Sequence, residues 1–136
     1  VAQPQDPQVI YFGGNQLLKT DDAGQSWTEI SSDLTRNDPD KLGDGGGPFT
    51  NEGAGGENYH TLSYIACSPH QAGLIWTGAD DGLVHLTKDE GATWQNVSPP
   101  GLGEALINAI EVSPHEPATA YLAVTRYKFD DPQPLI

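Results

Sequence analysis

An eight-residue pattern occurs twice in this chain, and its spacing constrains the fold more than any other feature. Residues 20–27 and residues 87–94 share Thr, Asp, Gly and Trp in the order Thr-x-Asp-x-Gly-x-x-Trp, 67 positions apart. A second match, Ser-Pro-His, begins at Ser68 and again at Ser113, 45 positions apart. Internal periods of about 20–50 residues are typical of solenoids, propellers and similar arrays. The sequence therefore predicts a repeat protein with a 45-residue unit.

Short apolar runs separated by turn signals fill each unit. The second unit contains TLSYIAC, LIWTG, LVHLT and TWQNV, which are rich in β-branched and aromatic residues. Four short antiparallel strands per unit, repeated along the chain, match a propeller blade. The sequence therefore predicts an all-β fold, namely a β-propeller segment of four-stranded antiparallel blades.

The predicted blades are incomplete at both ends of the sequence. We expect three strands in the first unit, which lacks an innermost strand, four in the second and two in the third. Nine strands make about two blades, whereas a propeller needs at least ~4 blades to close. The chain is thus expected to be a segment of a larger propeller, with a partial blade at 1–60, a complete blade at 61–105 and a partial third blade at 106–136. Seven glycines within residues 43–56 predict a long insertion loop in the first unit.

Charge and cysteine content exclude several classes of function. Six Lys and Arg against 19 Asp and Glu leave a net charge of −13, which repels nucleic acid and anionic lipid surfaces. The sequence has no run of 18 apolar residues, so we expect no membrane insertion. The single cysteine, Cys67, cannot form an internal disulfide, and its apolar surroundings predict a buried thiol.

The repeated eight-residue pattern has a mechanical explanation in a hairpin between the third and fourth strands. The Asp side chain accepts hydrogen bonds from its own turn, the Gly takes a positive φ, and the Trp anchors the turn on the blade. We expect a structural role for the residues of both copies, which are Thr20, Asp22, Gly24, Trp27, Thr87, Asp89, Gly91 and Trp94.

This pattern resembles the Asp-box of bacterial neuraminidase repeats, found in sialidases, other glycoside hydrolases and sortilin-type receptor propellers. Residues 6–136 also resemble bacterial sortilin-like or glycosyl-hydrolase-like repeat proteins, in phrases such as DPQVIYFGGNQLLKTDDAGQSWTEIS and AYLAVTRYKFDD. The resemblance implies an exported protein, extracellular or periplasmic. Nine strands would also leave sheet faces and edges bare, so we expect the partners to be other blades of the same propeller or another protein chain. A shared fold implies less about function.

Two carboxylates are the weak candidates for catalysis. A glycosidase needs two carboxyl groups that face each other across a cleft at ~5–10 Å. Glu57 precedes an innermost strand and Glu111 lies within the next one, although both also fit ordinary solvated carboxylates. Sialidase chemistry would need converging arginines, and the chain has only Arg36 and Arg126, in different units.

Ligand and calcium candidates lie near the predicted loops. Tyr59, His60 and Tyr127 could form a stacking or polar surface for a carbohydrate or peptide ligand, or pack in the blades. The carboxylates of Asp38, Asp40 and Asp44 could supply oxygen ligands to calcium, or form a solvated turn. No other cofactor is indicated.

Three functions remain open from the sequence. The leading hypothesis is a binding or interaction scaffold for a protein or carbohydrate ligand, with no catalysis evident in this chain. A second is part of a carbohydrate-active glycoside hydrolase whose carboxylates are shared with missing blades. A third is a subunit packed in a larger protein complex.

Overall fold

A computed structural model of the chain describes residues 1–41, 59–117 and 119–136. The described residues form three antiparallel sheets and two short 3-10 turns, Pro39–Lys41 and Tyr127–Phe129, and contain no α-helix. The all-β prediction is therefore confirmed. None of the described segments is a helix long and apolar enough to cross a membrane.

The three sheets follow one another along the chain. The first sheet has the order β1-β2-β3-β4, with β1 (Ala2–Gln3), β2 (Asp6–Gly13), β3 (Leu17–Thr20) and β4 (Thr28–Glu29). The second has the order β5-β6-β7-β8, with β5 (Leu62–Cys67), β6 (Ile75–Ala79), β7 (Val84–Thr87) and β8 (Gln95–Asn96). The third has the order β11-β10-β9, with β9 (Leu106–Val112), β10 (Ala120–Arg126) and β11 (Asp131–Leu135). All three remain open, which is consistent with an incomplete propeller segment.

The prediction of nine strands is wrong, because the described residues contain eleven. The first unit does have an innermost strand, β1. It is only two residues long, which is too short for an alternating pattern of apolar and polar residues to reveal it. It is held by the backbone of Val1, which exchanges hydrogen bonds with Tyr11 at 2.7 and 2.8 Å. The other added strand, β11, contains Pro132 and Pro134, which argue against a central strand. Proline is tolerated there because β11 pairs only with β10, at the edge of its sheet.

Two hydrophobic cores lie between successive sheets. The first joins the first and second sheets through Val9, Tyr11, Leu17, Leu34, Leu62, Ile75 and Ala79. The second joins the second and third sheets through Ala66, Val84, Ala105, Ile107, Ile110, Val112 and Val124. The second sheet thus contributes its two faces to two different cores, as a stacked blade does.

Glycines at equivalent positions let the sheets approach closely. Gly13 and Gly78 are the residues of β2 and β6 that pair with Leu17 and Val84 in their own sheets. A methyl group at Gly13 would lie 3.0 Å from Leu62 Cβ, and one at Gly78 only 2.4 Å from Ile107 Cγ2. The same inter-sheet contact therefore occurs twice, and a side chain larger than hydrogen does not fit it without movement.

A second inter-sheet contact also recurs, at the opposite end of the strands. Gln5 Nε2 donates to the carbonyl of Ser68 at 3.0 Å, and His70 Nε2 donates to the carbonyl of Ser113 at 2.9 Å. Gln5 and His70 lie 65 positions apart, the same spacing that relates Gly13 to Gly78. One polar side chain per unit thus links each sheet to the next.

We predict that Gly78→Ala destabilises the protein by about 1–3 kcal/mol, because the added methyl group overpacks the contact with Ile107. Gly14→Ala is the matched control, since a methyl group there meets nothing within 4 Å. Urea unfolding followed by tryptophan fluorescence measures both. Equal stability of the two variants would contradict the tight inter-sheet contact.

Candidate functional site

The first Trp hairpin, residues 20–27, is held by its own polar side chains. Thr20 Oγ1 donates to Asp22 Oδ1 at 2.6 Å and accepts the backbone N–H of Gly24 at 3.0 Å. The same Asp22 oxygen accepts the N–H of Ser26 at 2.9 Å. These bonds lower the pKa of Asp22 to about 2, with Thr20 the largest cause and Ser26 the next. The carboxylate therefore acts as the hub of the turn.

The second Trp hairpin, residues 87–94, repeats this network. Thr87 Oγ1 donates to Asp89 at 2.8 Å and accepts the N–H of Gly91 at 2.9 Å, while Asp89 accepts the N–H of Thr93 at 2.8 Å. Gly24 and Gly91 have φ of 96° and 93°, a region that favours glycine. The repeated residues thus build the same turn twice.

The two tryptophans have different surroundings. Trp94 Nε1 donates to the backbone carbonyl of Ile30 at 2.9 Å, so the second hairpin is fixed to the end of the first sheet. Gly91 lies against the same carbonyl, which a methyl group there would approach to 2.5 Å. Trp27 is 43% exposed and packs edge-on against Phe12, with ring centroids 6.2 Å apart. Trp94 therefore joins two sheets, whereas Trp27 contacts a residue of its own sheet.

A polar cluster forms where four segments meet, at the end of the strands opposite the Trp hairpins. These segments follow β4, precede β5, connect β6 to β7 and precede β9. We call this region the loop-face cluster, and its members are Arg36, Asp38, Lys41, Tyr59, His60, Asp80, Asp81 and Glu104.

Asp81 lies at the centre of the loop-face cluster and is fully buried. Its Oδ2 accepts the backbone N–H of Arg36 at 2.7 Å and faces Nδ1 of His60 at 2.8 Å. Its Oδ1 accepts the N–H of Leu83 at 3.2 Å within the β6–β7 hairpin. Arg36 also donates from its guanidinium to the carbonyls of Asp81 and Gly103, at 2.8 and 3.1 Å. The buried Asp81 carboxylate thus links the segment that follows β4 to the second sheet.

His60 is 3% exposed, and both of its ring nitrogens have partners. Nε2 accepts the backbone N–H of Asp38 at 3.2 Å, so the ring proton is on Nδ1 and is donated to Asp81. The ring also lies 4.3 Å from that of Tyr59, centroid to centroid. In this tautomer neither nitrogen faces solvent as a base. Ligand binding by His60 stays a prediction.

Tyr59 and Lys41 both donate to Glu104, which precedes β9. The Tyr59 hydroxyl lies 3.1 Å from Glu104 Oε1, and Lys41 Nζ donates to the same oxygen. Burial raises the pKa of Tyr59, and the bond to Glu104 raises it further. Burial alone would raise the pKa of Glu104, but the bonds from Lys41 and Tyr59 hold it below the ordinary value. Tyr59 is 6% exposed, so its ring mainly packs.

Asp80 adjoins Asp81 and accepts the backbone N–H of Thr61 at 2.9 Å. Burial raises its pKa, the Thr61 N–H lowers it, and the Asp81 carboxylate raises it again. Lys128, on the turn between β10 and β11, opposes this rise. The third sheet's loop therefore contributes a positive charge toward the loop-face cluster.

The other predicted site residues are dispersed. Glu111 is exposed on β9, where it pairs directly with Tyr121. Tyr127 is 59% exposed in the turn between β10 and β11, on the loop face. Glu57 and Asp44 lie outside the described residues, so the carboxylate pair and the complete calcium set stay predictions.

Of the two described calcium candidates, Asp38 already uses its carboxylate within its own turn. Asp38 Oδ1 accepts the N–H of Asp40 at 3.1 Å, and Asp38 Oδ2 lies 4.0 Å from Lys41 Nζ. No group of three or more His, Cys, Asp or Glu side chains suited to a metal ion occurs in the part of the chain that the structure describes.

Sequence reasoning missed the central residues of the cluster. The Asp80-Asp81-Gly82 sequence is typical of a hairpin turn and does not indicate a buried carboxylate, and Arg36 stood out only as one of two arginines in different units. His60 and Arg36, which bond to Asp81, lie 21 and 45 positions away from it in the sequence, and no local spacing indicates such pairs. Comparison with protein-family models finds no match for the chain, and comparison with curated proteins finds no significant similarity.

We predict that Asp81→Asn costs about 1.5–3 kcal/mol of unfolding free energy, because an amide group cannot accept all three of the buried donors. The exposed Glu116→Gln is the control and is expected to change stability by less than ~0.5 kcal/mol. Chemical denaturation compares them. A fully stable Asp81→Asn variant would show that the buried carboxylate does not hold its three partner segments together.

We also predict an acid-dependent loss of stability that arises from the Trp hairpins. Because the pKa of Asp22 falls from 3.8 to about 2 on folding, its contribution is complete above about pH 4 and is lost as the pH falls toward 2. Hydrogen bonds, first from the Thr93 side chain, lower the pKa of Asp89 as well.

The measurement is the melting temperature at pH 5 and at pH 2, followed by circular dichroism. Asp22→Asn/Asp89→Asn should lose less stability than the wild type over this interval, whereas the exposed control Glu116→Gln should lose as much as the wild type. An unchanged pH dependence in the double variant would refute the assignment.

Proposed function

We propose that this chain is a non-catalytic segment of an exported Asp-box β-propeller that serves as a binding scaffold for a protein or carbohydrate ligand. The observation that carries the proposal is the repeated inter-sheet contact at Gly13 and Gly78. Each glycine packs its sheet against the next sheet along the chain in the same way, so the three sheets stack in sequence order. Such stacking with connecting loops gathered at one end is the arrangement in which propellers bind ligands.

The chemistry of the loop-face cluster supports binding rather than turnover. His60 uses both ring nitrogens within the protein, and the Asp81 carboxylate accepts three donors. Burial raises the pKa of the Cys67 thiol to about 11, so the sulfur is protonated at neutral pH and is a poor nucleophile. Tyr127, which is 59% exposed on the loop face, offers an aromatic ring suited to ligand contact.

The glycoside hydrolase alternative depends on Glu111, which is exposed on an innermost strand, together with a second carboxylate. Hydrolysis of chromogenic glycosides that Glu111→Gln abolishes would favour this alternative. Binding without hydrolysis would favour the scaffold.

We predict that Tyr127→Ala weakens ligand binding between about two- and tenfold, the range expected for loss of one aromatic contact. The test is a glycan array and a peptide array probed with the chain, followed by titration of any hit. Tyr121→Ala is the matched control, because Tyr121 has the same 59% exposure but lies on the face of the third sheet. Equal losses for both variants, or no hit on either array, would count against a ligand site on the loop face.

A further inference from the structure

The second sheet binds a segment of chain that leaves the first sheet. We call residues 30–41 the strap; it follows β4 and, apart from the 3-10 turn at its end, has no regular secondary structure. Main-chain groups of the strap are bound by side chains of the second sheet and its adjoining segments. These pairs are Ile30 with Trp94, Leu34 with His85, Arg36 with Asp81 and Asp38 with His60. The strap is thus held along its backbone.

His85 lies beneath the middle of the strap. It follows Val84 on β7, and Val84 packs in the core between the second and third sheets, so alternation directs His85 toward the first sheet. The ring makes a hydrogen bond to the backbone of Leu34, and this bond favours the protonated ring. The acceptor is therefore the Leu34 carbonyl, and since Nδ1 has no partner, the donor is Nε2. The neutral ring thus carries its proton on Nε2.

The other ring nitrogen of His85, Nδ1, is buried without a hydrogen-bond partner among the described residues. Thr77 and Asn96 are the cross-strand neighbours of His85, and neither titrates. Thr77 is 0% exposed, and its hydroxyl also lacks a partner within the described part of the chain. A proton added to Nδ1 would therefore be a buried donor with no acceptor in place, which is unfavourable. The closed strap thus favours the neutral ring.

The charges around His85 reduce this preference but do not reverse it. Burial lowers the pKa of His85, whereas the Asp81 carboxylate and the Leu34 carbonyl oppose the decrease. The Asp81 carboxylate is itself occupied by hydrogen bonds within the loop-face cluster. Other titratable groups of the strap and of the facing strands are paired elsewhere, namely Asp33 with Thr35, Lys41 with Glu104, Tyr11 with Gln3 and Lys19 with Asp21. Burial therefore decides the direction of the effect.

We propose that the strap is an acid-sensitive latch, which closes over the neutral ring of His85 at neutral pH and opens when that ring takes up a proton. Opening gives the imidazolium access to water, which the closed strap denies it. It also separates Arg36 and Asp38 from Asp81 and His60, so the loop face loses its arrangement at acid pH. The latch is a property of the fold, so the inference goes beyond the proposed function and holds whether or not the loop face binds a ligand.

The direction of the pH dependence follows from linkage. Because the pKa of His85 is lowered in the closed form, the open form binds the proton more tightly. Closure is therefore most stable above the ordinary histidine value of 6.5 and weakens as the pH falls below it. This interval lies above the acid range in which Asp22 and Asp89 are protonated, so the two effects separate on the pH scale.

The experiment is amide hydrogen exchange of the whole chain, followed by NMR at about pH 7.5 and about pH 5.5. The strap amides of Leu34, Arg36 and Asp38, which are all hydrogen-bonded, report opening. After correction for the intrinsic pH dependence of exchange, their protection should fall about threefold or more at the lower pH, since one pKa unit corresponds to a factor of ten. Protection of β6, inside the second sheet, should stay unchanged.

His85→Gln is the decisive variant, because the glutamine amide can donate to the Leu34 carbonyl but does not titrate. Its strap should be equally protected at the two pH values. His115→Gln, at an exposed histidine, is the matched control and should keep the wild-type change. His60→Asn keeps a donor to Asp81 but loses the acceptor for the strap, so protection should be lower at both pH values while the change between them remains.

The ring NMR shifts of His85 in the wild type give a check that does not depend on the folding of a variant. Neutral His85 should be protonated at Nε2 and should titrate below 6.5. A proton on Nδ1, or titration at or above that value, would overturn the proposal. Strap protection that is the same at both pH values, a change that persists in His85→Gln, or one that only His60→Asn removes would overturn it too. Array binding by a chain without a pH-dependent strap would leave the proposed function standing, so the two failures are distinguishable.

Discussion

The close approach of successive sheets at Gly13 and Gly78 is the constraint on which the rest of the structure depends. The hydrogen at each of these positions allows β5 and β9 to pack against the preceding sheet. Only at this separation do the side chains of two sheets interdigitate into one core, and only then does the indole of Trp94 reach the carbonyl of Ile30. The docking of the second Trp hairpin on the first sheet therefore depends on the sheet spacing and stabilises that spacing.

At the other end of the strands, the loop-face cluster holds the first and second sheets together through hydrogen bonds. A buried carboxylate is unfavourable unless its oxygens accept hydrogen bonds. Asp81 meets this condition, because its carboxylate accepts hydrogen bonds from three different segments. These bonds hold loops that lack regular secondary structure in a fixed arrangement. This accounts for a cluster that has the composition of an active site but whose groups are directed toward one another.

The sequence was sufficient to predict the parts of the fold that rest on local pattern. The nine strands β2 to β10 were expected from short apolar runs and turn residues. The short β1 and the proline-containing β11 were missed, because pairing with a neighbouring strand, rather than local propensity, determines them. Asp81 was missed for the same reason, since its partners His60 and Arg36 are close only after the sheets have packed.

The hydrogen bonds of Gln5 and His70 show that one inter-sheet contact of this repeat does not require a particular residue type. Two chemically different side chains occupy the same place in successive units, and each supplies one N–H to a main-chain oxygen of the next sheet. The acceptor belongs to the backbone, which no mutation of the neighbouring side chain removes. Any side chain with a hydrogen-bond donor of suitable length could make this contact. The residue at this position can therefore vary between units while the sheets stay packed in the same way.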